Sequence, residues 1–185
     1  MKTRSIYLLL TNTKTLFTRC IKYFTQAEYN HVSIAFDSEL NELYSFGRKS
    51  MVCPLFSGFV QENIQNGIYK LKSNTSCLLM KLSVTKKEWR SIRQAVDHFI
   101  SNKNLYKYNL IGLVGFLINR EINRSNAFFC SQFVATVLKN VEDPTNARKP
   151  GLTAPHDFLA IPNKHIVYEG LLRNYRQKKC IMLAE

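Results

Sequence analysis

The segment 31–46 constrains the fold more than any other. From His31 to Phe36 the residues alternate, with Val32, Ile34 and Phe36 apolar and His31, Ser33 and Ala35 small or polar between them. That period of two is the signature of a half-buried strand. Asp37, Ser38 and Glu39 supply turn chemistry, and an extended apolar pattern resumes at Leu43 and runs to Phe46, just before Gly47. Two such runs joined by a polar turn predict a β-hairpin, and a hairpin requires an antiparallel sheet.

The rest of the chain supplies material for that sheet and for helices to cover it. Residues 6–10 form an unbroken apolar run suited to a buried strand, followed by Thr-Asn-Thr, which can cap a helix with Leu16, Phe17, Cys20, Ile21 and Phe24 on one face. Further extended segments are expected at 67–71 and 77–84. Thr85 to Glu88 reads as a capping box, and Trp89, Ile92, Val96, Phe99 and Ile100 follow on one helical face. Residues 104–126 lack a clean period and read as loop with a helical turn or two. Phe133, Val134, Val137 and Leu138 form a second helical stripe that begins just after Cys130 and is expected to end at Asp143-Pro144. A closing strand is expected at 165–172. Pro150, Pro155 and Pro162 mark the loops before it. At 185 residues, this order suits one α+β domain spanning 1–185, an antiparallel, partly closed sheet packed against helices.

The chain carries 26 Lys plus Arg against 13 Asp plus Glu, a formal charge of +13. A field of that sign favours anionic partners, an anionic lipid or polymer among them, and also promotes solubility. The cations are spread along the whole chain, so they draw no nucleic-acid footprint. Five cysteines, with no Cys-x-x-Cys pair, fit a reduced, cytoplasmic protein. The longest apolar stretch, 110–118, is shorter than the roughly 20 residues that span a bilayer, so no transmembrane segment is expected. No phosphate-binding loop, dinucleotide fingerprint or paired-cysteine metal site is present, and no cofactor or metal is expected.

Two residues stand where nucleophilic catalysis would need them. A cysteine at a helix start has its thiolate stabilised by unpaired backbone N–H groups and by the helix dipole, and the same N–H groups can hold an oxyanion. Cys130 is in that position, although a cysteine preceded by Phe128 and Phe129 can also be an inert buried thiol. His31 opens the first hairpin strand on its less apolar face, from which an imidazole can reach a thiol on a neighbouring helix.

Tyr29-Asn30-His31-Val32-Ser33-Ile34 on a hairpin, followed about 100 residues later by Phe129-Cys130-Ser131-Gln132-Phe133-Val134-Ala135 at a helix start, resembles the circularly permuted papain-like members of the NlpC superfamily. These include YiiX-type proteins and the lecithin retinol acyltransferase group. The resemblance extends from the first strand to the segment Val167-Tyr168-Glu169-Gly170. It implies Cys130 as nucleophile, His31 as base and a third polar residue, usually a carboxylate or a histidine, on the following strand. The implied activity is a cysteine-dependent hydrolase of the amidase or peptidase kind, or an acyltransferase, acting on a peptide-like or acyl substrate.

The third residue departs from that pattern. If Tyr44 and Phe46 share the core with Val32 and Ile34, alternation puts Ser45 on the His31 face. A register shift of one residue would bring Glu42 there instead. A hydroxyl in that place offers no negative charge to an imidazolium, which leaves room for a weakly active or silent binding and scaffold protein. Tyr29 and Asn30 flank the base and are expected to shape the substrate site. Arg48 and Lys49 follow the second strand, where they are either solvated or available to an anionic substrate group. His156, beside Asp157 in a loop, is expected to be structural.

Overall fold

The computed structural model describes residues 3–13, 28–49, 57–141 and 148–175. Six antiparallel strands form its sheet: β1 (Thr3–Asn12), β2 (His31–Ala35), β3 (Leu43–Arg48), β4 (Ser57–Glu62), β5 (Ser76–Thr85) and, after the helices, the strand His165–Leu171. A short helix, α1 (Gly67–Leu71), precedes β5, and α2 (Lys86–Ser101) follows it. The two-residue strands β6 (Lys107–Tyr108) and β7 (Ala127–Phe128) flank α3 (Leu110–Leu117), and α4 (Cys130–Val137) comes next. Two 3-10 turns, Pro150–Leu152 and Pro155–Ala160, lead into the last strand, β8 (His165–Leu171). The strand order is β4-β3-β2-β1-β5-β8, so β4 and β8 are opposite edges and hydrogen bonding does not close the sheet. This is a mixed architecture of antiparallel sheet and helices, consistent with α+β.

Several expected elements form for the expected reasons. The hairpin pairs Ile34 with Tyr44 and Ala35 with Leu43, which puts Val32, Ile34, Tyr44 and Phe46 in one buried cluster. The capping box is made in both directions, Glu88 N donating to Thr85 Oγ1 at 3.2 Å and Thr85 N to Glu88 Oε2 at 2.6 Å. Residues 16–24 lie outside the described residues.

Other expectations are corrected. Residues 67–71 are helical, a short turn that buries Tyr69 and sets its hydroxyl on Glu62. The strand at 31–35 is buried on both faces, since it lies between β1 and β3 with apolar residues packed above and below. Helix α4 ends at Val137, before the Asp143-Pro144 stop. The segment 57–62, not anticipated as a strand, forms the edge β4.

Helix α4 is held on the sheet by rings. Phe133 is fully buried, 5.5 Å from Phe46, 5.5 Å from Phe59 and 5.0 Å from Phe99, centroid to centroid. Burying one such side chain stabilises by about 1.5–3 kcal/mol, so the cluster fixes where the first turn of α4 sits over β2 and β3. At Gly58, an added Cβ would lie 2.6 Å from the Tyr106 carbonyl oxygen. Glycine there lets the chain entering β6 pass close over β4.

Candidate active site

β2 and β3 pair only at their turn end. Towards His31 the ladder is open, and the main-chain groups of Val32 find other partners. The Val32 carbonyl accepts a 2.7 Å hydrogen bond from Ser45 Oγ, and the Val32 N–H donates to the Cys130 sulfur. This gap lets the start of α4 reach the edge of β2.

Cys130 is the first residue of α4, after Phe129 in an extended conformation with φ −104° and ψ 169°. Ser131 Oγ donates to the Thr153 carbonyl at 2.6 Å and Phe129 N donates to Gln132 Oε1 at 3.4 Å, which ties the helix start down without capping the Cys130 sulfur. The sulfur receives hydrogen bonds from His31, from the backbone N–H groups of Val32 and Ser131, and from Tyr108. Tyr108 is brought there by the parallel pairing of β6 with β7, which ends two residues before Cys130.

On its other side His31 meets a carboxylate. Nε2 lies 2.7 Å from Glu62 Oε1, which leaves Nδ1 as the ring nitrogen for the thiol. Glu62 is fixed in turn by Ser33 Oγ, 2.6 Å from Oε2, and by the Tyr69 hydroxyl, 3.0 Å from the same oxygen. His31 and Glu62 come from strands that are not neighbours, and the intervening β3 contributes Gly47 between them. A Cβ there would sit 3.5 Å from Glu62 Oε1 and 4.0 Å from His31 Cε1, so a larger side chain would invade the contact.

The electrostatics follow from this chain of contacts. Burial works against charge on His31, but the Glu62 carboxylate, and then the Cys130 thiolate, hold the imidazolium well above its ordinary value. Burial likewise opposes a Cys130 thiolate; the His31 charge and the hydrogen bonds to the sulfur more than offset it and lower the thiol pKa. Glu62 is kept ionised despite burial by His31 and by its hydroxyl donors. Cys77, buried without such partners, is pushed up to about 12. The arrangement favours a thiolate and imidazolium side by side, with a carboxylate behind the ring.

The side chain that the structure sets against the His31 ring is Glu62, not Ser45. Ser45 does lie on the His31 face, but its hydroxyl is consumed by the Val32 carbonyl, which the open ladder leaves without a β3 partner. Glu42 points to the other face and forms a 2.8 Å ion pair with Arg93. Tyr29 and Asn30 line a narrow cleft beside Cys130 with an enclosed volume of about 20 Å³. Tyr108, Leu113, Phe116 and Phe129 make most of its wall apolar. Asn30 is 6% exposed; its amide nitrogen donates to Asn12 Oδ1 at 3.0 Å, while its Oδ1 has no partner. Arg48 is exposed at the end of β3 and does not line the cleft, and Lys49 donates to the Lys103 carbonyl at 3.3 Å. His156 sits 3.6 Å from Asp157.

Four residues of this site escaped the sequence. Ser33 was on the right face by alternation alone. Glu62 and Tyr108 fall in segments with no legible period, and Tyr69 lies in the segment 67–71, which reads as extended but is helical. Among the described residues, no group of three or more His, Cys, Asp or Glu side chains is placed to hold a metal ion. No described helix is long and apolar enough to cross a membrane. Compared with protein-family models, curated proteins and solved structures, the chain matches none of the three.

Proposed function

We propose that this chain is a cysteine-dependent hydrolase of the amidase or peptidase kind, with a permuted papain-like fold in which Cys130 is the nucleophile, His31 the base and Glu62 the residue that orients and charges His31. The observation that carries this reading is the continuous hydrogen-bonded line from Cys130 through His31 to Glu62, begun at a helix N-terminus. The order of histidine strand before cysteine helix agrees with the family resemblance.

In the first step the Cys130 thiolate attacks a carbonyl carbon, forming the C–S bond of a tetrahedral adduct. Its oxyanion is met by the Cys130 backbone N–H at the helix start, with the Tyr108 hydroxyl, which reaches the sulfur, as a side-chain donor. Collapse breaks the bond to the leaving group, which takes the Nδ1 proton of His31, and leaves an acyl thioester. Neutral His31 then draws a proton from water as it attacks the thioester, and thiolate and acid are released.

Transfer of the acyl group to an acceptor other than water is the second reading, supported by the apolar cleft wall. The carboxylate against His31 supports the catalytic reading over the silent-scaffold alternative, which was argued from a hydroxyl in the third position.

The test is iodoacetamide labelling across pH, mapped by mass spectrometry to each cysteine, followed by a search for an acyl adduct on Cys130 after exposure to N-acyl amides and activated esters. Labelling of Cys130 well below the ordinary thiol range near 8.5, lost in His31→Ala, together with an acyl adduct, is expected. Reactivity no greater than that of Cys77 would remove the nucleophile assignment.

A further inference from the structure

Helix α3 is packed inside out. The side that meets the protein is made of its smallest residues, Gly112 and Gly115, both buried. A Cβ on Gly112 would overlap the Asn109 side chain, and one on Gly115 would lie 2.5 Å from the Arg120 carbonyl oxygen. Both glycines are buried against the helix's own cap, Asn109, and the loop that follows it, with no room for a side chain, and the large side chains point elsewhere. Leu113 and Phe116 line the Cys130 cleft. Leu110, Ile111, Val114, Leu117 and Ile118 remain between 43% and 60% exposed. A helix on a water-facing surface ordinarily shows the opposite pattern, and a contiguous aliphatic patch of this kind marks a surface that something covers.

The flanks say what covers it. Lys103 and Lys107 precede α3, Arg120 and Arg124 follow it, and all four are exposed. The one acid between residues 101 and 126 is Glu121, whose Oε1 accepts from the Gly151 N–H. An aliphatic face bordered by cations, on a chain of net charge +13, is complementary to a bilayer with anionic headgroups. A second copy of the same chain would instead bring these cations against one another.

We propose that α3 docks on an anionic phospholipid bilayer, with its outward aliphatic side chains at the level where headgroups meet acyl chains and the four flanking cations among the headgroups. Because Leu113 and Phe116 belong to the same helix, docking sets the mouth of the Cys130 cleft against the membrane. Docking is independent of the chemistry at Cys130; only its consequence, that an amide-bearing amphiphile reaches the cleft from the bilayer, rests on the proposed function.

The test is co-sedimentation of the full chain with vesicles of phosphatidylcholine alone and with vesicles containing about 30 mol % phosphatidylglycerol. Binding at least tenfold tighter to the anionic vesicles, weakened by salt, is expected. The triple variant Ile111→Ser, Val114→Ser, Ile118→Ser changes only side chains more than half exposed, so the fold is spared, and it should lose at least tenfold in binding. The pair Arg120→Glu, Arg124→Glu should weaken anionic binding to a similar degree. Ile166→Ser, an equally exposed change on β8, should have no effect.

Absence of binding to anionic vesicles, or undiminished binding by the triple serine variant, would overturn the proposal. So would a dimer in solution that the triple variant dissociates without any vesicle binding, because the partner would then be a second copy. Vesicle binding retained by Cys130→Ser, in a wild-type chain that forms no acyl adduct, would leave the docking in place and remove the hydrolase reading.

Discussion

Glu62→Gln tests the site at the point where sequence and structure part. Glutamine keeps the length of the side chain, and its Oε1 can still accept from Ser33 and Tyr69, so the buried cluster should survive. The amide nitrogen would then face His31 Nε2 and donate to it. That forces the ring proton onto Nδ1, the nitrogen next to the Cys130 thiol, and a protonated Nδ1 on a neutral ring cannot accept the thiol proton. The 2.7 Å contact being lost is a charge-assisted hydrogen bond to a buried imidazolium, worth about 1.5–3 kcal/mol. At 1.36 kcal/mol per pKa unit this raises the Cys130 midpoint by about one to two units, and labelling by iodoacetamide at low pH should slow roughly ten- to hundredfold. The assay is the pH profile of Cys130 alkylation in wild type and variant, with thermal unfolding run in parallel. An unchanged profile in a folded Glu62→Gln protein would refute the reasoning, as would a larger shift in Ser45→Ala.

Ser45→Ala removes the donor to the buried Val32 carbonyl and should cost about 1 kcal/mol in urea unfolding while leaving the Cys130 profile in place. Tyr108→Phe keeps the ring in the cleft wall and deletes one donor to the sulfur, so the Cys130 midpoint should rise and adduct formation should slow about tenfold, measured by the same labelling and by mass spectrometry. Glu62 is held below its ordinary 4.5: burial alone would raise it, but His31 and the hydroxyl donors prevail. A depressed acid stabilises the fold fully above its unfolded value and loses that contribution as pH falls through the folded value. Urea midpoints should therefore fall on acidification below about 4.5, and fall less steeply in Glu62→Gln, whose side chain does not titrate.

What could be read in the sequence was what repeats. Alternation at 31–36, the capping box at Thr85 and the stripe after Cys130 each recur several times within a short window, and each formed. The hairpin register was also legible, because placing Tyr44 and Phe46 in the core fixes it. Glu62 was not, for a physical reason. β4 is an edge strand with Phe59 in the core but Gly58, Gln61 and Glu62 around it, so too few apolar residues remain to show a period. The inference stopped at the strand next to His31, whereas the carboxylate comes from the strand beyond and reaches across Gly47. Tyr69 and Tyr108 lie where tertiary pairing alone decides the conformation, one in a five-residue helix and the other in a two-residue strand.

The splayed end of the β2–β3 pair links fold to function. A full ladder would satisfy the Val32 N–H and carbonyl within the sheet, and the Cys130 sulfur would have no backbone donor from β2. It would also close the passage through which His31 meets both α4 and β4. The opening has a cost, since it leaves two main-chain groups of a buried strand without their usual partners, and an unpaired buried group costs about 1–3 kcal/mol. Ser45 offsets half of that cost by taking the carbonyl, and the thiolate takes the N–H. The serine expected to orient the histidine thus keeps the sheet open for it, which explains a buried hydroxyl at position 45 where alternation on a strand buried on both faces would ordinarily favour an aliphatic side chain.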